Sequence, residues 1–112
     1  MLREFFIGFI KIHILHHSAE EEISGIEIME ELGRHGYSVS PGVIYPTLHR
    51  LEKEGYLKSS KAIVGGRVRR CYRATSKGIE ALEEAKTKIK ELIYEIIPNN
   101  QNSSSGRFLY ET

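Results

Sequence analysis

The stretch from Ser40 to Gly55 admits one regular structure. It opens with a serine able to cap a helix and a proline suited to the first helical position. It closes on a glycine, the residue favoured just past a helix C-terminus. Between these ends Ile44, Leu48 and Leu51 recur at i, i+4 and i+7, so one face is apolar and must be buried against something. The remaining positions, Tyr45, Thr47, His49, Arg50 and Lys53, mix aromatic, hydrogen-bonding and cationic groups. Such a face solvates a helix poorly and suits the reading of nucleic acid. Pro46 breaks the pattern: it removes a backbone donor and disfavours helical geometry at Tyr45, a violation of the kind that gathers at functional or strained places.

The neighbouring segments give this helix a context. Ser24 to His35 reads as a second helix, with Ser24 as cap, Ile28, Met29 and Leu32 facing inward, and Gly36 closing it. Its face Glu27, Glu30, Glu31 is acidic and should point away from any phosphate backbone. With the short link Tyr37-Ser38-Val39 the two helices make a helix-turn-helix, the Ser40–Gly55 helix being the second member. After Gly55 the pattern turns to strands. Tyr56 to Val64 and Arg67 to Ala74 are β-competent runs, and the Gly65-Gly66 between them is a two-residue hairpin signal. A long cationic hairpin after a helix-turn-helix is a wing, whose arginines can enter a minor groove or grip phosphates. The plainer alternative is an edge strand made basic against aggregation, but neither strand carries the acids that would balance it. Cys71, mid-strand beside Tyr72, is expected to be structural, buried and inert.

Charge supports the wing. The net charge is only +1, yet residues 34 to 79 hold ten Lys and Arg against Glu52 and Glu54, a local +8, while the flanks come to −5 and −2. Between Gly55 and Ile79 there are seven cations and no acid. Segregation of this kind is an electrostatic footprint. The single cysteine excludes an intrachain disulfide and points to a reducing compartment. The Phe5–Leu15 run is too short to span a bilayer and is interrupted by Lys11, and no small-residue cleavage site follows it. A cytoplasmic protein without membrane association is expected.

At 112 residues the chain can form one domain with an appended helix. Residues 1 to 17 read as a helix apolar around most of its circumference, so it must be covered on more than one side. His13, His16 and His17 have a spacing that can hold a metal with Glu20 or Glu21, although polar or cationic His also suits a helix C-terminus, and no metal is expected. Thr75 or Ser76 caps a last helix that runs to about Ile97, before Pro98, and is about 33 Å long. Its Ile79, Leu82, Ile89, Ile93 and Ile96 follow a 3,4 spacing broken once by Lys86. Both apolar faces exceed what a small domain covers, so a homodimer is expected through Phe5 and Phe9 of the first helix and these five residues of the last. The expected domains are residues 1–75, a winged helix-turn-helix with an N-terminal interface helix; 76–97, a dimerisation helix; and 98–112, a flexible polar tail. The fold class is therefore mostly α with a small β-hairpin: a winged helix-turn-helix with an additional C-terminal helix.

The motif Pro-Gly-x-Ile-Tyr-Pro-x-Leu-x-Arg-Leu-Glu-x-x-Gly at residues 41–55 resembles the recognition-helix signature of the PadR family of winged-helix transcriptional regulators. Arg70 to Gly78 is similar to that family's Tyr-Arg-x-Thr-x-x-Gly ending of the wing, and Gly25-x-Glu27-Ile28-x-x-Glu31-Leu32 to its second helix. The resemblance spans about residues 5 to 97, with Ser24 standing where many members have His. It implies a transcriptional repressor, dimeric through its N- and C-terminal helices. It also implies a small-molecule effector, in such proteins a planar aromatic bound at the dimer interface, whose identity here is open. Phe5, Phe6, Phe9 and Tyr94 can line such a pocket or serve as interface core, and there is no Trp to stack on a ligand.

Catalysis finds little support. The chain has no Asp, Glu20-Glu21-Glu22 reads as a solvated turn, and Gly65-Gly66 lacks the context of a phosphate loop. No cofactor is expected. The leading reading is a dimeric regulator of double-stranded DNA. Ser40, Tyr45, Thr47, His49 and Arg50 would meet the major groove or flanking phosphates, and Lys61, Arg67, Arg69 and Arg70 belong to the wing. Gly42 would let the backbone approach DNA or turn tightly. The alternatives are a winged-helix module that binds an acidic protein and a nonspecific architectural DNA binder.

Overall fold

Caps decide where the helices begin and end. In a computed structural model of the chain, which describes residues 1–98, the order is α1 (Leu2–Glu20), β1 (Ile23–Ser24), α2 (Gly25–Arg34), α3 (Pro41–Lys53), β2 (Leu57–Val64), β3 (Arg67–Ala74) and α4 (Ser76–Ile96). The Ser24 hydroxyl accepts from the Glu27 amide while the Glu27 carboxylate accepts from the Ser24 amide, a complete capping box. Both α2 and α3 end on a left-handed glycine, Gly36 and Gly55, each at φ +88°. The following amides return to the helix, Tyr37 to the Leu32 carbonyl and Tyr56 to that of Leu51, both at 2.9 Å. Each closure satisfies carbonyls that would otherwise be orphaned. The polar tail falls outside the described residues from position 99 onward.

β2 and β3 pair antiparallel from Leu57↔Ala74 to Val64↔Arg67 around Gly65-Gly66, whose two positive φ angles suit a tight hairpin turn. Sequence reading missed a third strand. β1 is only two residues long and pairs Ile23↔Tyr72 and Ser24↔Cys71, so β3 is central in the order β1-β3-β2. Two residues carry no periodicity, and Ser24 already had a legible role as the helix cap.

The chain divides into two compact units, Met1–Leu82 and a second beginning at Glu83. The first has one apolar core: Ile10, Ile14 and Leu15 of α1, Ile23, Ile28 and Leu32 of β1 and α2, Ile44, Leu48 and Leu51 of α3, Leu57 and Tyr72 of the sheet, and Leu82 of α4. Each full burial of an aliphatic side chain contributes about 1.5–3 kcal/mol against exposure. Leu82, expected at a dimer interface, is thus spent inside its own unit. Cys71 is buried as expected, and burial raises its thiol above the ordinary range.

Backbone contact joins α3 to α4. The Thr75 hydroxyl donates to the Gly55 carbonyl at 2.6 Å and accepts from the Gly78 amide at 3.1 Å, capping α4 and tying it to the end of α3. The Thr75 amide donates to the Tyr56 carbonyl at 3.1 Å. Gly78 lies so close to that carbonyl that a Cβ there would collide with it. Lys77 completes the joint, donating to the Glu54 carbonyl at 2.7 Å with its ammonium over the Tyr56 ring.

The histidines of α1 form a cluster with the end of α2. His13 and His17 stack with ring centroids 6.3 Å apart, His13 lies 5.3 Å from His35, and His16 lies 4.9 Å from His17. Phe9 and Tyr37 meet His13 edge-on. Among the described residues no group of three or more His, Cys, Asp or Glu is arranged to hold a metal ion. The Glu31 carboxylate pairs with Arg34 and stands 3.6 Å from His17 Nε2, which is buried without a hydrogen-bond partner. Burial, then the charges of His35, His17 and His16, hold His13 below its ordinary value of 6.5. Burial and His16 lower His17 against the opposing pull of Glu20. The folded state thus favours neutral imidazoles, and as pH falls below about 6.5 the unfolded chain binds protons first, so stability is lost. The melting temperature should fall between about pH 7 and pH 5, and more gently in a His13→Gln/His17→Gln variant. An equally steep fall in that variant would assign the effect to other groups.

Candidate nucleic-acid interface

The buried stripe of α3 determines which side chains it presents. Ile44 and Leu48 are fully buried, which turns Tyr45, Pro46, His49, Arg50 and Lys53 outward, where they line one open groove of about 470 Å³. Three residues predicted to meet DNA, Tyr45, His49 and Arg50, are therefore brought together. Thr47 is not among them. It is only 7% exposed and its hydroxyl donates to the Val43 carbonyl at 2.7 Å, so it does not project outward as expected and instead lines the small cleft beside Arg3 and Lys11. Tyr45 is 42% exposed, and the hydroxyl end of its ring lies against Gly25 of α2, where a Cβ would stand 2.6 Å from the ring. Ser40 is exposed and precedes α3 without any side-chain capping bond, which leaves its hydroxyl unspent. Gly42 has no positive φ, and a Cβ there would meet only the Ser40 hydroxyl at 3.7 Å. The tight-turn reason for this glycine therefore fails.

Two cations beside α3 escaped the sequence reading. Arg3 and Lys11 of α1, with Ile7 between them, line a cleft of about 140 Å³ with Gly42, Pro46 and Arg50. They belong to the acidic third of the chain by residue count, which hid them. The signal was their i, i+4, i+8 spacing, which puts Arg3, Ile7 and Lys11 on one helix face.

The wing is fastened to α3 by a carboxylate. Glu52 accepts from both the amide and the hydroxyl of Ser59, at 3.2 and 2.6 Å, and the Arg70 guanidinium donates to the same hydroxyl at 3.0 Å. One of the two acids in the basic middle of the chain is thus consumed in positioning the wing. The four predicted wing cations do not share a face: Lys61 and Arg70 oppose one another on one side, and Arg67 and Arg69 lie on the other. Lys61, Arg67 and Arg70 are exposed and Arg69 is half-buried.

Of the residues expected at a dimer interface, Phe5 is exposed and stacks on the half-buried Phe9, which also meets Tyr37. Ile79, Ile93 and Ile96 are exposed and Ile89 is half-buried. An apolar groove of about 540 Å³ runs between α1 and the segment leading into α3, lined by Phe6, Phe9, Ile10, Tyr37, Val39 and Val43 among others. No helix among the described residues is long and apolar enough to cross a membrane.

The model of the PadR-like family of transcriptional regulators matches residues 14–84. The chain belongs to this family. It is 48% identical over 105 residues to the transcriptional regulator Rv3488 of Mycobacterium tuberculosis, covering 94% of this chain and 97% of that one. Among solved structures it is similar to a PadR-like transcriptional regulator from Bacillus cereus, at 32% identity and TM-score 0.71, covering 82% of this chain and 94% of that one. A PadR-like transcription factor from Bacteroides fragilis, 25% identical, gives a TM-score of 0.74 over 84% of this chain and 92% of that one. The winged helix-turn-helix is thus that of a PadR-like DNA-binding regulator, and α3 and the β2–β3 wing are its candidate contact elements.

The Glu52 anchor makes a specific expectation. Glu52→Ala should speed hydrogen exchange at the amides of Ser59 and its ladder neighbours and leave α1 unchanged, at a cost of about 1 kcal/mol in stability. Unchanged exchange in the wing would mean that the strand ladder alone holds it.

Proposed function

We propose that this PadR-like regulator is a repressor that binds a specific duplex site as a homodimer, with α3 in the major groove and the wing on the flanking backbone. The observation that carries this reading is the shared footing of the two elements. The outward face of α3, with Tyr45, His49, Arg50 and Lys53, and the cationic wing are held to each other through Glu52 and Ser59. Ser40, Arg3 and Lys11 extend the surface toward phosphates, and Gly42 admits close approach of the DNA backbone. A regulator acting on DNA in this way works in the cytoplasm. The exposed Phe5, Ile79, Ile93 and Ile96 and the half-buried Phe9 and Ile89 supply the dimer surface. Two recognition helices related by a two-fold axis then call for half-sites one helical turn, about 34–36 Å, apart or a multiple of it. The groove between α1 and the start of α3 is where a small apolar effector would act, since it borders both an interface helix and the recognition helix.

Replacing Arg67 and Arg69 with Ala should weaken binding about equally on all sequences and reduce the salt slope by roughly one for each phosphate left without its cation. An unchanged slope with intact folding would remove the wing from the DNA. Binding to no duplex near physiological salt would favour the protein-interaction module instead.

Mutating Ile89 and Ile93 together to Glu should give monomers and remove most of the specific affinity without touching a DNA-contacting residue. Sedimentation and a binding titration on one sample check this. A monomer that binds its site undiminished would refute the dimeric reading.

A further inference from the structure

Ile63 and Val68 are 77% and 70% exposed. They oppose each other across the β2–β3 ladder and so project from the same face. Val64 and Arg67 close the two-residue loop, so the alternation of the ladder makes the next pair a non-hydrogen-bonded one, with Cα atoms about 4.5 Å apart. The two side chains therefore form one apolar knob. Among the described residues every other exposed large apolar side chain belongs to α1, α3, α4 or the residues at their ends. The knob stands alone on the sheet.

Its surroundings select a polyanion. The next pair back on the same face is Lys61 with Arg70, and Arg67 and Arg69 lie on the opposite face, so cations collar the knob on both sides of the ribbon. In front of it the turn is Gly65-Gly66, where a Cβ at either residue would meet nothing within 4 Å. A bare turn is slender enough to enter a groove about 6 Å wide. β-branched side chains are stiff at χ1, so the knob arrives already ordered. We propose that Ile63 and Val68 form an apolar wedge that the wing inserts into the minor groove of bound DNA, opening a base step and kinking the duplex. This rests on the reading that the protein binds duplex DNA through α3 and the wing. Apolar side chains entering a minor groove unstack a step and bend the duplex by about 20–90°. The cost is lowest at flexible pyrimidine–purine steps, so the wedge makes the protein sensitive to a step whose base edges it need not hydrogen-bond.

The test uses the whole chain and the duplex that wild-type protein enriches from a random library. Anisotropy reports affinity, end-to-end energy transfer reports bending, and 2-aminopurine at the step under the wing reports unstacking. An Ile63→Thr/Val68→Thr variant keeps β-branched residues in both strands and removes no cation. It should lose about tenfold in affinity, the bend and the 2-aminopurine signal, and keep the salt slope of the wild type. Should it melt early, Ile63→Ala alone carries the same test. Wild-type protein should lose about tenfold when the step is made G·C-rich, and the variant should not. A variant that binds and bends DNA as wild type does overturns the wedge and leaves DNA binding intact. Wild-type protein that binds no duplex overturns both. Binding of wild type to phosphatidylserine vesicles that the variant loses, with DNA affinity unchanged, would assign the knob to a lipid surface and overturn the proposal.

Discussion

The approach of Gly78 to the Tyr56 carbonyl is the contact on which the arrangement of this molecule turns. Only a residue without Cβ can bring the first turn of α4 that near to the backbone just beyond α3. Thr75 then fills the joint from both directions, donating to Gly55 and accepting from Gly78. The end of α3 and the first turn of α4 are therefore one hydrogen-bonded object. A rotation imposed on the start of α4 has to be carried into the end of α3 or break these bonds. In the dimer proposed above, this would be a physical route from assembly to the pose of α3.

The charge pattern acquires a different meaning in three dimensions. Counted along the chain, positive charge belongs to the middle third and Glu52 dilutes it. In the fold Glu52 accepts from Ser59, whose hydroxyl in turn accepts from Arg70, while Arg3 and Lys11 join the cleft beside Pro46 and Arg50. The basic surface gains two cations from a segment that is acidic on paper. Linear segregation located the surface, and the packing of α1 against α3 completed it.

How much was legible in the sequence follows from the kind of signal each feature leaves. Helix ends were legible because Ser24, Pro41, Gly36 and Gly55 each act through local backbone chemistry, and the hairpin was legible because Gly65-Gly66 does the same. The apolar stripe of α3 was legible through its period. Thr47 was misplaced because its β-branched, half-polar side chain fits either face, and a bond to the Val43 carbonyl decided it. β1 was invisible because a pair with Cys71 and Tyr72 joins positions far apart in sequence. Parity separates Arg70 from Arg67 and Arg69 within β3, but placing Lys61 beside Arg70 takes the hairpin register, which pairs an odd position with an even one. Gly25 and Gly78 were legible as motif residues, whereas the atoms that demand them belong to other elements.

The seat of Tyr45 on Gly25 limits how the outward face of α3 can diverge. A side chain at position 25 displaces the ring, and a bulkier ring at position 45 finds its floor already in contact. The two positions are coupled through this contact, although they lie on different helices. A lineage that enlarges position 25 has to move or shrink Tyr45, whereas His49, Arg50 and Lys53 can vary without touching that contact. The three free positions are the cheaper evolutionary path, and divergence among descendants of this chain should be concentrated there.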